Sequence, residues 1–188
     1  DNMPRTVADH HEFKPKGSRG ERYILAGARM DPKILSAVPT TKLDANHTIV
    51  DYNELRTHFE LTNQSHILKI DKTKSFKANE FEVYAAKTSI DIREGIAHQP
   101  NTRAINECVV RIMMKMGLLA VLTASAPLGL WPDAIKMASF LRRVLVDGRQ
   151  HPRVTIPNNE LPCFGQRITT KIRHDKGFAN EERDGMVL

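Results

Sequence analysis

Between Ile112 and Trp131 the chain is almost wholly apolar, and that stretch constrains the fold more than any other. A run of this length raises the question of a membrane span. Lys115 and Gly117 interrupt it, and Pro127-Leu128-Gly129 would break a spanning helix, because proline lacks a backbone donor and clashes with the preceding turn. Two consecutive buried helices account for it better. The first begins near Arg103, where Ile105, Cys108, Val109, Ile112, Met116, Leu119 and Ala120 make one apolar stripe at helical spacing. Methionines near that stripe read as gap-fillers in a core. The second helix covers about 131–146, with Ile135, Ala138, Leu141 and Leu145 at similar steps and a solvated Arg142-Arg143 pair.

Upstream, the chain reads first as extended. Thr6–Asp9 leads into a basic, turn-rich piece, Lys14-Pro15-Lys16-Gly17-Ser18-Arg19-Gly20, which is either a hairpin loop or a phosphate-facing loop. Arg22–Ala28 is then a buried strand with Ile34–Val38 as its partner. Asn46 can cap a helix carrying Ile49, Tyr52, Leu55 and Phe59 at three- and four-residue steps. A strand, His66–Ile70, follows the polar turn Thr62-Asn63-Gln64. A second helix, with Asn79 as cap, shows Phe81, Tyr84, Ala85 and Thr88 on one face, and Ile90–Arg93 is a further strand. Strands first, then helix, strand, helix, strand and a helical pair make an α/β layout with a mixed sheet. Periodicity fades from Gly148 on, where only Ile168–Ile172 reads as a strand. The expected division is therefore a core over 1–147 and an extension over 148–188 with little regular structure.

The formal charge of +6 and pI of about 9.4 favour polyanionic partners, nucleic acid ahead of an anionic membrane. Cys108 and Cys163 stand far apart, in no zinc or disulfide spacing, so a reducing compartment is expected. The chain begins at Asp1 without a signal peptide and reads as an excised domain or processed fragment.

Acidic residues interrupt these elements at three informative places. Asp9 ends or lies within the first strand, Asp71 closes the strand after the first helix, and Glu107 lies in the first turns of the long helix. Sixty-one residues (positions 10–70) separate the first two, and 35 (positions 72–106) the second two. Carboxylates so arranged can converge at one edge of a sheet, where their mutual repulsion calls for counter-charge. Two hard divalent cations, Mg²⁺ or Mn²⁺, would supply it and support an in-line phosphoryl displacement.

The residues around the acids resemble the integrase core of copia-type LTR retrotransposons over nearly the whole chain. Ala8-Asp9 and Gly20-Glu21-Arg22-Tyr23-Ile24-Leu25 resemble the family's first acid and its Tyr-led strand. Ile67-Leu68-Lys69-Ile70-Asp71, Phe76 and Asn79-Glu80-Phe81 resemble the second. Pro100, Ile105, Glu107 and Arg111 fit the pattern of the third, and Pro127-Leu128-Gly129-Leu130-Trp131-Pro132-Asp133-Ala134 resembles a downstream signature. Leu161-Pro162-Cys163-Phe164-Gly165 resembles a later stretch ending in Phe-Gly. The departures are Glu12-Phe13 for Gly-Pro after the first acid, Lys72, Thr73 and Ser75 after the second, and Ala104 and Cys108 beside the third. The family's zinc-binding N-terminal module is not in this chain.

The resemblance implies an RNase H-like fold, a five-stranded mixed sheet flanked by helices. It also implies metal-dependent DNA 3′-end processing and strand transfer, with Asp9, Asp71 and Glu107 as catalytic metal ligands for two ions. The partners implied are DNA (element ends and target), further copies of the chain and a host chromatin protein, with no membrane. The expected location is the nucleus, after a cytoplasmic stage. Lys72, Lys74, Arg103 and Arg111 flank the acids and are the candidate DNA contacts, although phosphate contacts carry no sequence signature. His10-His11 read as a polar loop, since adjacent strand residues point to opposite faces and at most one could assist. Trp131 reads as a core anchor. The rival expectation is a domesticated or degenerate integrase fold that binds DNA or protein without catalysis, and a weaker one is a basic structural module of a larger assembly.

Overall fold

A computed structural model of the chain describes residues 3–70, 74–94, 100–146, 149–150, 164, 167–171 and 182–186; for 100–103, and from 144 on except Phe164, it describes the backbone only. Three strands come first: β1 (Arg5–Glu12), β2 (Tyr23–Met30) and β3 (Lys33–Thr40). Then follow α1 (Ala45–His58), β4 (His66–Ile70), α2 (Asn79–Lys87), β5 (Ile90–Glu94), α3 (Pro100–Thr123) and α4 (Trp131–Val144). The sheet order is β3-β2-β1-β4-β5. The first three strands form an antiparallel meander, while β4 runs parallel to β1 and β5 parallel to β4. This five-stranded mixed sheet, flanked by helices, is an RNase H-like fold.

Alternation along the strands sends successive side chains to opposite faces. Ala8, Leu25, Ile34, Val38, Leu68 and Ile70 face α1 and α2, where Tyr52, Phe59, Phe76 and Phe81 fill the core. Val7, Ile24, Ala26, Ala28, Leu35 and Ala37 face the other way, onto Val109, Val110 and Met113 of α3 and Trp131, Ile135 and Ala138 of α4. The sheet edge at β3 is covered by α4: Ser139 Oγ accepts from the Ala37 N–H at 2.9 Å and donates to the Ala37 carbonyl at 3.0 Å. Pro39 is tolerated on this strand because β3 is an edge and the missing donor breaks no ladder on its open side.

Helix starts differ from expectation. Asp44, not Asn46, caps α1: its extended backbone precedes the helix and its side chain accepts from the His47 N–H at 2.9 Å. Either residue type suits a cap, but a carboxylate also meets the positive end of the helix dipole. Asn79 is the first residue of α2, and Ala78 takes the cap position with no side-chain bond. Glu80 and Glu82 in the first turn favour the helix there instead.

The larger correction concerns α3. Its buried positions are Asn106, Val109, Val110, Met113, Gly117 and Val121, whereas Cys108 and Leu119 are exposed. The inward face is rotated from the one read by hydrophobicity because two of its members, Asn106 and Gly117, are not hydrophobic. Gly117 sits at the crossing with α4, where a Cβ would come within 2.7 Å of Ile135 Cγ1. Small size, not apolarity, is what the crossing selects. The Arg142-Arg143 pair is half-buried, not fully solvated, and the Arg143 guanidinium lies 5.8 Å from the Phe140 ring centre. Toward the C-terminus β6 (Leu145–Val146) pairs with β7 (Arg149–Gln150), and β8 (Arg167–Lys171) pairs antiparallel with β9 (Glu182–Met186). No helix of the described residues is long and apolar enough to cross a membrane.

Candidate active site

Asp9 lies within β1, the central strand, opposite Ala26 of β2. Ladders to β2 and β4 on either side fix the strand. Two residues beyond Val7, Asp9 belongs to the face that meets α3. Its Oδ1 accepts the backbone N–H of His10 at 2.8 Å. His10 therefore turns to the opposite face, where its ring stands 5.3 Å from that of Phe76. His10 and His11 are strand residues, not a polar loop, because the β1–β2 ladder continues through Glu12. Burial pushes the His10 pKa down to about 4, and neither ring nitrogen finds a hydrogen-bond partner among the described residues. His11 is exposed.

β4 is the adjacent parallel strand, and it ends at Ile70, which pairs with Ala8, the residue before Asp9. Asp71, Lys72 and Thr73 lie outside the described residues. Lys74 opens the 3₁₀ turn that follows (Lys74–Lys77) and is exposed.

Glu107 is exposed and lies in the second turn of α3, the helix that packs on β1 and β2. The residue before it, Asn106, is buried, and its amide oxygen and nitrogen make no hydrogen bond with the described residues. Hydrophobicity alone passes over Asn106 as a polar residue off the apolar stripe. Its spacing to Val109, Val110 and Met113 is the signal that could have found it. Arg111 and Lys115 follow Glu107 at four-residue steps and are exposed with it. Of Arg103 only the backbone, in the first turn of α3, is described.

No family model matches the chain, and no curated protein matches it. Among solved structures it is similar to one of the simian T-cell lymphotropic virus intasome in complex with the PP2A regulatory subunit B56 gamma. The TM-score is 0.61 at 12% identity, and the match covers 95% of this chain and 66% of that one. The fold is integrase-like. At that identity the likeness concerns architecture, and the chain spans just under two thirds of the chain it matches.

Within the integrase-like fold, the basic β1–β2 segment is a hairpin loop docked on the start of α4. Trp131 is fully buried; its ring stacks on Phe13 with centres 4.3 Å apart, and its Nε1–H donates to the Pro15 carbonyl at 2.9 Å. Ser18 N–H donates to the Gly129 carbonyl at 2.7 Å. Gly17 lies so close to Pro132 that a Cβ would come within 2.4 Å of its ring. Arg19 bridges the buried Glu21 (3.0 Å) and Asp133 (2.8 Å). The Asp133 hydrogen bond, ahead of its charge and that of Glu21, raises the Arg19 pKa. Trp131 is thus a core anchor, as its apolar surroundings suggested, and it is also the peg that holds this loop.

Among the described residues no group of three or more His, Cys, Asp or Glu side chains could hold a metal. Asp9 and Glu107 are hard oxygen donors on elements that pack together. Donors of this chemistry suit Mg²⁺ or Mn²⁺ and would not suit a soft metal. The segment Leu161–Cys163, with Gly165, lies outside the described residues.

Proposed function

We propose that the chain is the catalytic core of a copia-type retrotransposon integrase, a polynucleotidyl transferase that processes DNA 3′ ends and joins them to target DNA. The observation that carries this reading is the pairing of β1 with β4. Parallel strands in that register present Ala8 beside Ile70, and the next residue in sequence after each is an aspartate. α3, which packs on β1, carries Glu107 in its second turn.

In this reading Asp9, Asp71 and Glu107 hold two Mg²⁺ or Mn²⁺ ions. When bound, such a pair supplies positive charge to the attacking and leaving oxygens of an in-line displacement. The protein's own part is positioning. Asp9 is fixed by a strand bonded on both edges, and Glu107 rides on a helix whose next turns are locked by Val109, Val110 and Met113. No Ser or Cys nucleophile is needed, because water or a DNA 3′-hydroxyl attacks. Lys72, Lys74, Arg103 and Arg111 would bind flanking phosphates. DNA ends, target DNA, a second copy of the chain and a host chromatin protein are the partners of this reading, in the nucleus after a cytoplasmic stage. The intasome neighbour, itself in complex with a PP2A regulatory subunit, is in keeping with DNA or protein partners.

The decisive assay is strand transfer by the 188-residue chain with Mn²⁺ and an oligonucleotide matching the element end. Asp71→Asn should abolish product while leaving DNA binding in place, a loss of at least about 10²-fold given how much charge stabilisation such sites supply. Activity indifferent to Asp71→Asn would sink the reading. A degenerate, non-catalytic integrase fold is favoured by one feature: the exposed Cys108 stands beside Glu107 where the resemblance leads one to expect arginine.

A further inference from the structure

The β1–β2 connection is longer than closing the hairpin requires. Glu12 already pairs with Tyr23, yet residues 13–22 lie between them, whereas about two residues suffice for a tight turn. The extra chain is not loose. Trp131 holds Pro15 from below, Gly129 holds Ser18, Pro132 abuts Gly17, and Asp133 with Glu21 holds Arg19. Within this frame Arg19 is spent on structure. Lys14 and Lys16, on either side of the pinned Pro15, are both exposed and form no ion pair with any described residue.

We infer that this loop is a docking site for the phosphodiester backbone of duplex DNA, made by Lys14 and Lys16. The inference rests on the reading of Asp9 as part of a DNA-processing site, because it is the position of the loop relative to Asp9 that selects the ligand. β1 runs from Asp9 directly into the loop, and Lys14 is five residues on. At about 3.3 Å per extended residue, the two α-carbons lie at most about 17 Å apart. Duplex DNA carries a phosphate about every 3.4 Å of axis on each strand, so DNA engaged at Asp9 has phosphates within reach of the loop about five base pairs away. A loop pre-set by packing binds without losing chain entropy at the encounter, which is the advantage of clamping it. Among the described residues, Glu12 is the exposed acid next to the loop in sequence, and it sits on the strand side. The site adds a sequence-independent anchor on the β2 side of Asp9, whereas Lys74 and Arg111 lie on the elements that follow β4 and β5.

The test is fluorescence anisotropy of a labelled duplex of about 30 base pairs, several turns longer than the loop's reach from Asp9, with the 188-residue chain across a salt series. Lys14→Gln/Lys16→Gln should flatten the slope of log affinity against log salt by about 1.8, at about 0.9 for each phosphate no longer neutralised. Between about 50 and 200 mM salt the wild-type chain should therefore lose about twelvefold more affinity than the double variant. Lys14→Arg/Lys16→Arg should keep the wild-type slope. Lys33→Gln/Lys87→Gln, with the same charge change on β3 and at the end of α2, should also keep it. An unchanged slope for the Lys14/Lys16 variant, or an equal flattening in the control, would overturn the inference. So would binding to phosphatidylserine vesicles that uses the same lysines and exceeds binding to duplex. Salt-sensitive, lysine-dependent DNA binding in a chain that gives no strand transfer would leave the docking loop standing and remove the catalytic reading. Absence of any duplex binding would remove both.

Discussion

The two faces of the sheet are built differently. On the α1/α2 face the core is aromatic: Tyr52, Phe59, Phe76 and Phe81 are fully buried, with ring pairs such as Phe76–Phe81 at 4.9 Å and edge-on. Several polar groups there are tied into networks. Tyr52 Oη lies 2.8 Å from His66 Nε2 and 3.1 Å from Thr6 Oγ1, and the buried Arg56 donates to the carbonyls of Leu61 and Thr62. The α3/α4 face has small residues on the sheet, Ala26, Ala28 and Ala37, and a glycine at the helix crossing, Gly117. Its aromatic anchors, Trp131 and Phe13, sit at one end, under the hairpin loop. The first face therefore holds the sheet, and the second lets two helices lie close to it. Asp9 and Glu107 belong to the second. The proposed site, assembled from a strand and a helix, would need such closeness.

Removing one anchor from each face gives the largest contrast. Phe59→Ala and Trp131→Ala should each cost about 3–5 kcal/mol in urea denaturation, the range for deleting a large buried aromatic. Their local signatures should differ. Trp131→Ala frees Pro15 and should abolish hydrogen-exchange protection of the Ser18 amide before global unfolding, whereas Phe59→Ala should leave that amide protected until the whole chain unfolds. Equal protection of Ser18 in both variants would mean that the loop is held by Arg19 and Asp133 instead.

Next in size is the edge strand. Ser139→Ala removes the hydroxyl that serves both the N–H and the carbonyl of Ala37 in a buried place. Leaving those groups unpaired should cost about 2 kcal/mol. Because an opened edge is a template for pairing, the variant should also aggregate faster on heating. Ser139→Thr, which retains the hydroxyl, should behave like the wild-type chain; a loss as large as that of alanine would point to packing.

The contrast between the faces also explains what was legible in the sequence. Elements over the aromatic face could be read nearly to the residue. Phe81 and Ala85 are buried as their spacing implied, and β4 spans His66–Ile70 as expected, because large apolar side chains at regular steps announce which side is inward. The other face is chosen by size. Hydrophobicity cannot see that Gly117 and Asn106 face in or that Cys108 and Leu119 face out, so it finds the helix α3 but misplaces its stripe. The candidate residues show the same split. The positions of Asp9 on β1 and Glu107 on α3 were legible because acids interrupted recognisable elements. The docking of Lys14–Gly20 on α4 was not, because contacts between positions over a hundred residues apart leave no local pattern.

The smallest predicted effects test whether the polar groups on α1 act oppositely. Burial pushes the Asp51 pKa up to about 6, against a hydrogen bond from Thr40 that pulls it down. A raised carboxylate favours folding while protonated, so its contribution is present below about pH 4 and is lost as pH rises through about 6. Burial, with the nearby cations Arg143 and Lys136, pushes His58 down to about 4. A depressed histidine favours folding while neutral, so its contribution is present above about pH 6.5 and is lost as pH falls through about 4. Both groups are partly reached by solvent, which reduces the expected effects to about 1–2 kcal/mol for His58 and about 1 kcal/mol for Asp51. Asp51→Asn should thus stabilise the chain at about pH 7.5 and have no such benefit at about pH 4. His58→Gln should flatten the fall in stability between about pH 6.5 and 4. Ser36, whose Oγ lies 2.7 Å from His58 Nδ1, offers the internal check. Ser36→Ala leaves the half-buried ring without that partner and should lower stability at neutral pH without removing the acid slope. If Ser36→Ala removed the slope as well, the hydrogen bond and not burial would be what keeps His58 neutral.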